Sequence, residues 1–139
     1  MRALASDLSL AVVRLTRHLR GRRAESQISL TQLSVLVTLA NEGAMTPGSL
    51  AAKERVQPPS MTRVIASLTD LGLVERAPHP TDGRQIIVSL SHAGHALLAD
   101  ERSAREAWMS DQLADLDPDQ LAVLEQAVSI LNQVVADSE

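Results

Sequence analysis

Cysteine, phenylalanine and tyrosine are absent from the 139 residues, and Trp108 is the only aromatic side chain. The lack of cysteine removes disulfides, thiol nucleophiles, thiol-based redox sensing and Cys-ligated zinc together. The lack of Phe and Tyr means that any core must be aliphatic, and a hydrophobic content of 45% is enough for one modest core. Long apolar runs are missing too: none approaches the roughly 20 residues of a membrane span. The N-terminus sets Arg2 beside Ser6, Asp7 and Ser9, which is not a signal peptide. A cytoplasmic protein without membrane contact is expected. No nucleophile elbow, glycine-rich phosphate loop or metal-protease motif occurs, so neither an enzyme nor a cofactor is expected.

Charge is unevenly distributed. The net charge is −4, but residues 1–91 hold 11 Lys or Arg against 7 Asp or Glu, and residues 92–139 hold 2 against 10. The basic balance therefore falls on the first two thirds, and the acidic end leaves that part able to meet a polyanion.

Along the chain, residues 3–24 read as a helix with Leu4, Leu8, Val12, Leu15 and Leu19 on one face and Arg14, Arg17, Arg20, Arg22 and Arg23 toward its end, where cations complement the helix dipole. Ser29-Leu-Thr-Gln32 is a capping-box pattern. It opens a second helix through about Ala40, with Leu33, Leu36, Val37 and Ala40 expected inward and Asn41-Glu42-Gly43 as its end. Thr46-Pro47 supplies an N-cap and a first-turn proline for a third helix, with Leu50, Ala51 and Val56 inward.

The fourth helix opens at Pro58-Pro59. Pro59 suits the first helical position, which makes Pro58 extended and leaves the Ser60 and Met61 N–H groups open as a phosphate site. Met61, Val64, Ile65, Leu68 and Leu71 keep the spacing of a buried stripe; Pro59, Thr62, Arg63, Ala66 and Asp70 fall opposite, a slim face with one long cation. Gly72 ends the helix. Leu73–Arg76 and Arg84–Leu90 then read as paired strands around the loop Pro78–Gly83. Ser91 caps a long helix to about Leu113, and Asp117-Pro-Asp-Gln120 starts the last, with Leu121, Leu124, Val128, Leu131 and Val135 apolar and Val123 and Val134 alongside. The order predicts a mainly α (α+β) fold, a winged helix-turn-helix with a two-stranded wing, flanked by helices with more apolar surface than so small a core needs. Such an excess calls for a partner, most simply a second copy.

Val56-Gln-Pro-Pro-Ser-Met-Thr-Arg63, Leu68, Asp70-Leu-Gly-Leu-Val-Glu-Arg76, Asp82-Gly-Arg84, Val88-Ser-Leu-Ser91 and Gly94 together resemble the MarR family of bacterial transcriptional regulators. The match is close over about residues 30–95. The resemblance implies a single MarR-like domain over 1–139, with residues of about 30–92 reading DNA and about 1–28 and 93–139 forming the homodimer interface. It implies a repressor on a pseudo-palindromic double-stranded operator. Gln57, Pro58, Ser60, Thr62 and Arg63 would serve the major groove. Arg84 would serve the minor groove and be steadied by Asp82. Two positions depart from the pattern: Gly83 stands where many relatives have a second basic residue. Arg55 stands where many helix-turn-helix units have glycine, which requires a positive φ or a longer turn.

Family members often release DNA on binding a small aromatic anion or drug-like compound; here Arg14, Arg17 or His18 would face the anion and Trp108 would wall the site. Other readings stay open. His92 and His95, one turn apart, suggest a metal-responsive regulator, although a metal needs three or four convergent ligands. A winged-helix protein-interaction module without specific DNA binding is the remaining alternative.

Overall fold

A computed structural model describes residues 1–21 and 28–137. In chain order these form α1 (Arg2–Gly21), α2 (Leu30–Glu42), α3 (Pro47–Glu54), α4 (Pro58–Asp70), β1 (Val74–Pro78), β2 (Ile86–Leu90), α5 (His92–Leu113) and α6 (Pro118–Ala136). This is the expected mainly α, α+β winged arrangement, with a two-stranded antiparallel sheet. The chain divides into two compact units, residues 1–103 and 104–139, with α5 running through the boundary. Residues 22–24 of the expected first helix, with Arg22 and Arg23, lie outside the described residues.

The helix ends follow the capping chemistry of the sequence. Ser29 Oγ accepts from the Gln32 N–H at 3.1 Å while Gln32 Oε1 accepts from the Ser29 N–H at 2.7 Å, so two donors that the first turn of α2 leaves orphaned are satisfied reciprocally. Thr46 Oγ1 accepts from the Ser49 N–H at 3.2 Å, with Pro47 at the first position of α3. Asp117 and Gln120 form a second capping box at α6. At the end of α4 the Leu73 N–H reaches Leu68 O and the Gly72 N–H reaches Thr69 O, both at 3.0 Å, with Gly72 at φ 72°. This paired closure requires a left-handed residue, which glycine adopts without strain.

The first unit is held by an aliphatic core. Val35, Leu36 and Leu39 of α2, Leu50 and Ala51 of α3 and Met61, Ile65 and Leu68 of α4 close on Leu73, Val74 and Val88 of the hairpin. Leu33, Met45, Val56, Val64 and Leu90 pack around them. The stripe on α2 differs from the expected one: Val35 and Leu39 are inside, whereas Val37 is 38% exposed and Ala40 is exposed. The apolar residues of this helix span more than half of its circumference, so periodicity does not select which part of that broad face is buried. Leu71, expected in the α4 stripe, is 44% exposed because the chain reverses at Gly72 and Leu73 takes the inward place.

The strand boundaries also shift. β1 begins at Val74, since Leu73 is spent on closing α4, and the ladder runs from Val74↔Leu90 through Arg76↔Val88 to Pro78↔Ile86. β2 begins at Ile86 rather than Arg84, because Arg84 and Gln85 complete the loop. On its other edge β2 meets Met45, which exchanges both backbone hydrogen bonds with Val88, 3.1 and 2.8 Å. A hairpin alone is marginal; this bridge and the burial of Val88 fasten it to the helices.

Ser91 joins three elements. Its Oγ donates to Gly72 O at 2.6 Å and accepts from the Gly94 N–H at 3.0 Å, and its N–H donates to Leu73 O at 3.1 Å. One residue thus caps α5, takes up a carbonyl just past α4 and ends the hairpin. Gly94 permits this. A Cβ there would lie 2.2 Å from Leu73 O and 2.9 Å from Leu90 Cδ2.

In the second unit Leu121, Ala127 and Leu131 are half-buried, while Val123, Leu124, Val128, Ile130, Val134 and Val135 are exposed. α1 likewise exposes Leu4, Leu8, Val12, Val13 and Leu15. No helix among the described residues is long and apolar enough to cross a membrane.

Gly94→Ala should cost about 1–3 kcal/mol or more, since the contacted atom is a backbone oxygen that also accepts from Ser91 and cannot move aside freely. Urea unfolding followed by far-UV circular dichroism checks this; an unchanged midpoint would mean that α5 can shift without cost.

Candidate nucleic-acid interface

The turn between α3 and α4 is tight because Arg55 takes the left-handed conformation, φ 53° and ψ 43°. Of the two geometries open to a non-glycine residue here, the positive φ is the one adopted. The Val56 N–H then closes on Ala51 O at 3.0 Å. The residue before it is anchored: the Glu54 carboxylate accepts from Ser34 Oγ at 2.6 Å and Thr38 Oγ1 at 2.5 Å, both on α2. Lys53 pairs with Glu42 at 2.8 Å, an exposed contact worth little. Gln32 Nε2 donates to Ser67 Oγ at 2.8 Å, tying the start of α2 to α4. Polar links therefore add to the apolar packing: three join α3 to α2, and one joins α4 to α2.

α4 starts one residue earlier than the pattern of prolines suggested. Its N-cap is Gln57, and Pro58 and Pro59 occupy the first two helical positions. The preference of a pre-proline residue for extended backbone is overridden, because neither ring has an N–H to lose at positions where none is bonded within the helix. The Met61 N–H is not open; it donates to Gln57 O at 3.0 Å. Of the first three helical residues only Ser60 has an N–H, so the anion site at this helix end is narrower than expected.

Gln57, Pro58, Pro59, Ser60, Thr62 and Arg63 are all exposed on the face opposite the core stripe. Thr62 Oγ1 donates to Pro58 O at 3.0 Å, which leaves its lone pairs facing out. Beside the helix, the hairpin tip is built by its own hydrogen bonds. The Thr81 and Asp82 N–H groups donate to His79 Nδ1, each at 3.1 Å. Asp82 Oδ1 accepts from the Arg84 N–H at 3.1 Å, and the Gln85 N–H donates to Asp82 O at 3.1 Å. Asp82 thus holds the backbone of Arg84. The exposed Arg84, with Gln85 and Ile86, lines a shallow groove of about 370 Å³ against Thr46, Pro47 and Gly48 at the start of α3. The arrangement offers a slim helix face with one cation and a projecting loop with another, which are the parts needed to meet base edges and phosphates in adjacent grooves.

The remaining candidates sit elsewhere. Arg14, Arg17 and His18 are on α1 in the first unit, and Trp108 is half-buried on α5 in the second. His92 and His95 are exposed in the first turn of α5, and among the described residues no group of three or more metal-ligating side chains forms. Sequence reading missed the Glu54 anchor, the Met45 bridge and the His79 ring. A polar residue at a turn was the only local signal for the first and third, and nothing marked the second.

A family model described as the MarR family matches residues 28–86, from just before α2 to the first residue of β2. A Mycobacterium bovis protein named as an uncharacterized HTH-type transcriptional regulator, Mb0904, is 57% identical over 97% of this chain and 94% of its own. The multiple antibiotic resistance protein MarR of Salmonella typhimurium is 30% identical over 70% of this chain and 69% of its own. The chain belongs to the MarR family. A solved Pseudomonas aeruginosa structure superposes with a TM-score of 0.86 at 32% identity, covering 96% of this chain and 94% of the other. This MarR-family chain is thus a transcriptional regulator of a family whose members bind DNA and typically dimerise, and its relatives are named as regulators.

Arg55→Gly should raise stability by up to about 1 kcal/mol, because a left-handed backbone strains any residue with a Cβ while the looser unfolded chain takes back part of the gain. A higher urea midpoint with an unchanged slope is the expected reading; a lower midpoint would show that the Arg55 side chain contributes contacts worth more than the strain.

Proposed function

We propose that this MarR-family regulator is a homodimeric, sequence-specific DNA-binding repressor that a small aromatic anion or drug-like compound releases from its operator. The observation that carries the reading is the pairing of two exposed cations on differently shaped parts. Arg63 stands on the slim face of α4, and Arg84 stands on a loop braced by Asp82. A helix clear of bulk suits the major groove, and an arginine on a narrow loop suits the negative potential of a narrow minor groove. Gln57, Pro58, Ser60 and Thr62 complete the helix surface that would meet base edges and phosphates.

Dimerisation is supported by the apolar residues that α1 and α6 leave exposed; Leu4 is 66% and Val123 64% accessible in the single chain. A partner copy would cover such faces through α1, α5 and α6. Two copies related by a two-fold axis would present their α4 helices to successive major grooves roughly 34 Å apart, so the operator would be a pseudo-palindrome. An effector would release DNA by binding better to a form with the wrong helix spacing. Arg14, Arg17 or His18 is proposed to meet its anionic group, and Trp108 is proposed as its apolar wall.

Fluorescence-anisotropy titration of duplexes from upstream of the protein's own gene, beside a scrambled duplex, tests the reading. A preference of about 10³ or more is expected, with steep salt dependence. Arg63→Ala and Arg84→Ala should each weaken operator binding by about tenfold with the dimer intact by sedimentation, and a phosphate-only role would lower the salt slope by about one. Full affinity in both variants would leave a protein-interaction module as the reading. An unchanged operator affinity at millimolar salicylate-like compounds would remove the effector class proposed.

A further inference from the structure

We propose that His79 is a positioning residue for the wing, acting through Asp82 on Arg84. The inference rests on the reading of Arg84 as a DNA-contacting residue.

The donors decide the state of the ring. Thr81 and Asp82 each bring a backbone N–H to His79 Nδ1 at 3.1 Å, and the Thr81 hydroxyl lies 3.3 Å from the same atom. A backbone N–H can only donate. Nδ1 must therefore be the unprotonated nitrogen, and the neutral ring carries its hydrogen on Nε2. From this atom the order passes outward. The Asp82 N–H is held by the ring, the Asp82 carboxylate holds the Arg84 N–H at 3.1 Å, and Asp82 O accepts from Gln85 at 3.1 Å. The His79 N–H donates to Gln85 O at 3.1 Å, so the loop closes where it began. The half-buried ring is the centre of this circuit, and the exposed Arg84 is its outermost cation.

Among the described residues the ring nitrogen's partners are the loop amides and hydroxyl alone. Loss of the ring would therefore leave the Thr81 and Asp82 amides without their acceptor, and the Asp82 carboxylate would no longer be held where it meets the Arg84 N–H.

Asparagine is the informative replacement, because its Oδ1 stands close to the position of Nδ1 and accepts the same amides. The full-length wild type, His79→Asn and His79→Ala are compared by ¹⁵N NMR and by operator anisotropy at constant salt and pH. In the wild type the imidazole ¹⁵N shifts should report a hydrogen on Nε2 and none on Nδ1. The Thr81, Asp82 and Arg84 amides should move together in His79→Ala and keep their places in His79→Asn. Operator affinity should fall at least about fivefold in His79→Ala and return in His79→Asn. An Nδ1–H tautomer, a wild-type amide pattern in His79→Ala, or amides displaced equally in His79→Asn and His79→Ala would overturn the proposal. Full operator affinity in Arg84→Ala would sink the DNA-contact reading on which the affinity arm depends, and the amide shifts would still decide whether His79 orders the loop.

Discussion

The burial of one side of α4 is the constraint on which the rest of the first unit depends. Met61, Ile65 and Leu68 are fully or almost fully buried, and each such side chain contributes about 1.5–3 kcal/mol relative to exposure. Rotating the helix would expose all three, so the opposite face has no freedom to turn inward. The slim outer surface around Thr62 and Arg63 is therefore set by the inner one. The same burial places the hairpin. Leu68 carries the carbonyl that closes on Leu73, Leu73 carries the carbonyl that receives Ser91, and Ser91 starts α5. The wing and the helix beside it are consequently positioned by one continuous chain of backbone contacts rather than by separate packing.

Both ends of α4 make local concessions to this placement. At its start two prolines remove N–H groups, which fixes the entry of the chain but leaves Ser60 as the only backbone donor of the first turn. Anion attraction at that end therefore depends more on side chains, chiefly Arg63, than on the helix terminus. Before it, Arg55 adopts a conformation that glycine would take with less strain, a cost of about 1–2 kcal/mol. The neighbouring Glu54 offsets some of this, since its carboxylate holds two hydroxyls of α2 and stops the turn from relaxing. Strain and anchor sit on adjacent residues, which is how a short turn with a strained backbone persists.

What could be read in advance was local. Ser29 with Gln32, Thr46 with Pro47, Asp117 with Gln120 and Gly72 each announce a helix end within four residues, and each end appears. Ser91 as a cap was legible, but its second bond to Gly72 O was not, because that partner is 19 residues away. The same limit hid Glu54 from Ser34 and Thr38, and Met45 from Val88. The α2 face failed for a different reason: Leu33, Val35, Leu36, Val37 and Leu39 spread over more than half of the circumference, so only the packing partners choose among them. At the candidate interface the residues were named from the resemblance, while the His79 ring that gathers the loop amides lies between two prolines in a stretch that pattern alone reads as an ordinary turn.

The apolar faces of α1 and α6 set the scale on which this regulator would work. Exposed Leu, Val and Ile residues recurring along a helix represent a free-energy gain not realised by the single chain. If a second copy covers them, association contributes to folding, and apparent stability depends on protein concentration. The distance between the two α4 helices would then be fixed by the association helices rather than by α4 itself, whose seat in the core is rigid. On the proposed reading, a compound acting on those helices would not have to touch α4 to abolish operator binding: a small change in how the copies meet would misplace one α4 relative to the other, and the rigid seating of each would carry the error undiminished to the DNA.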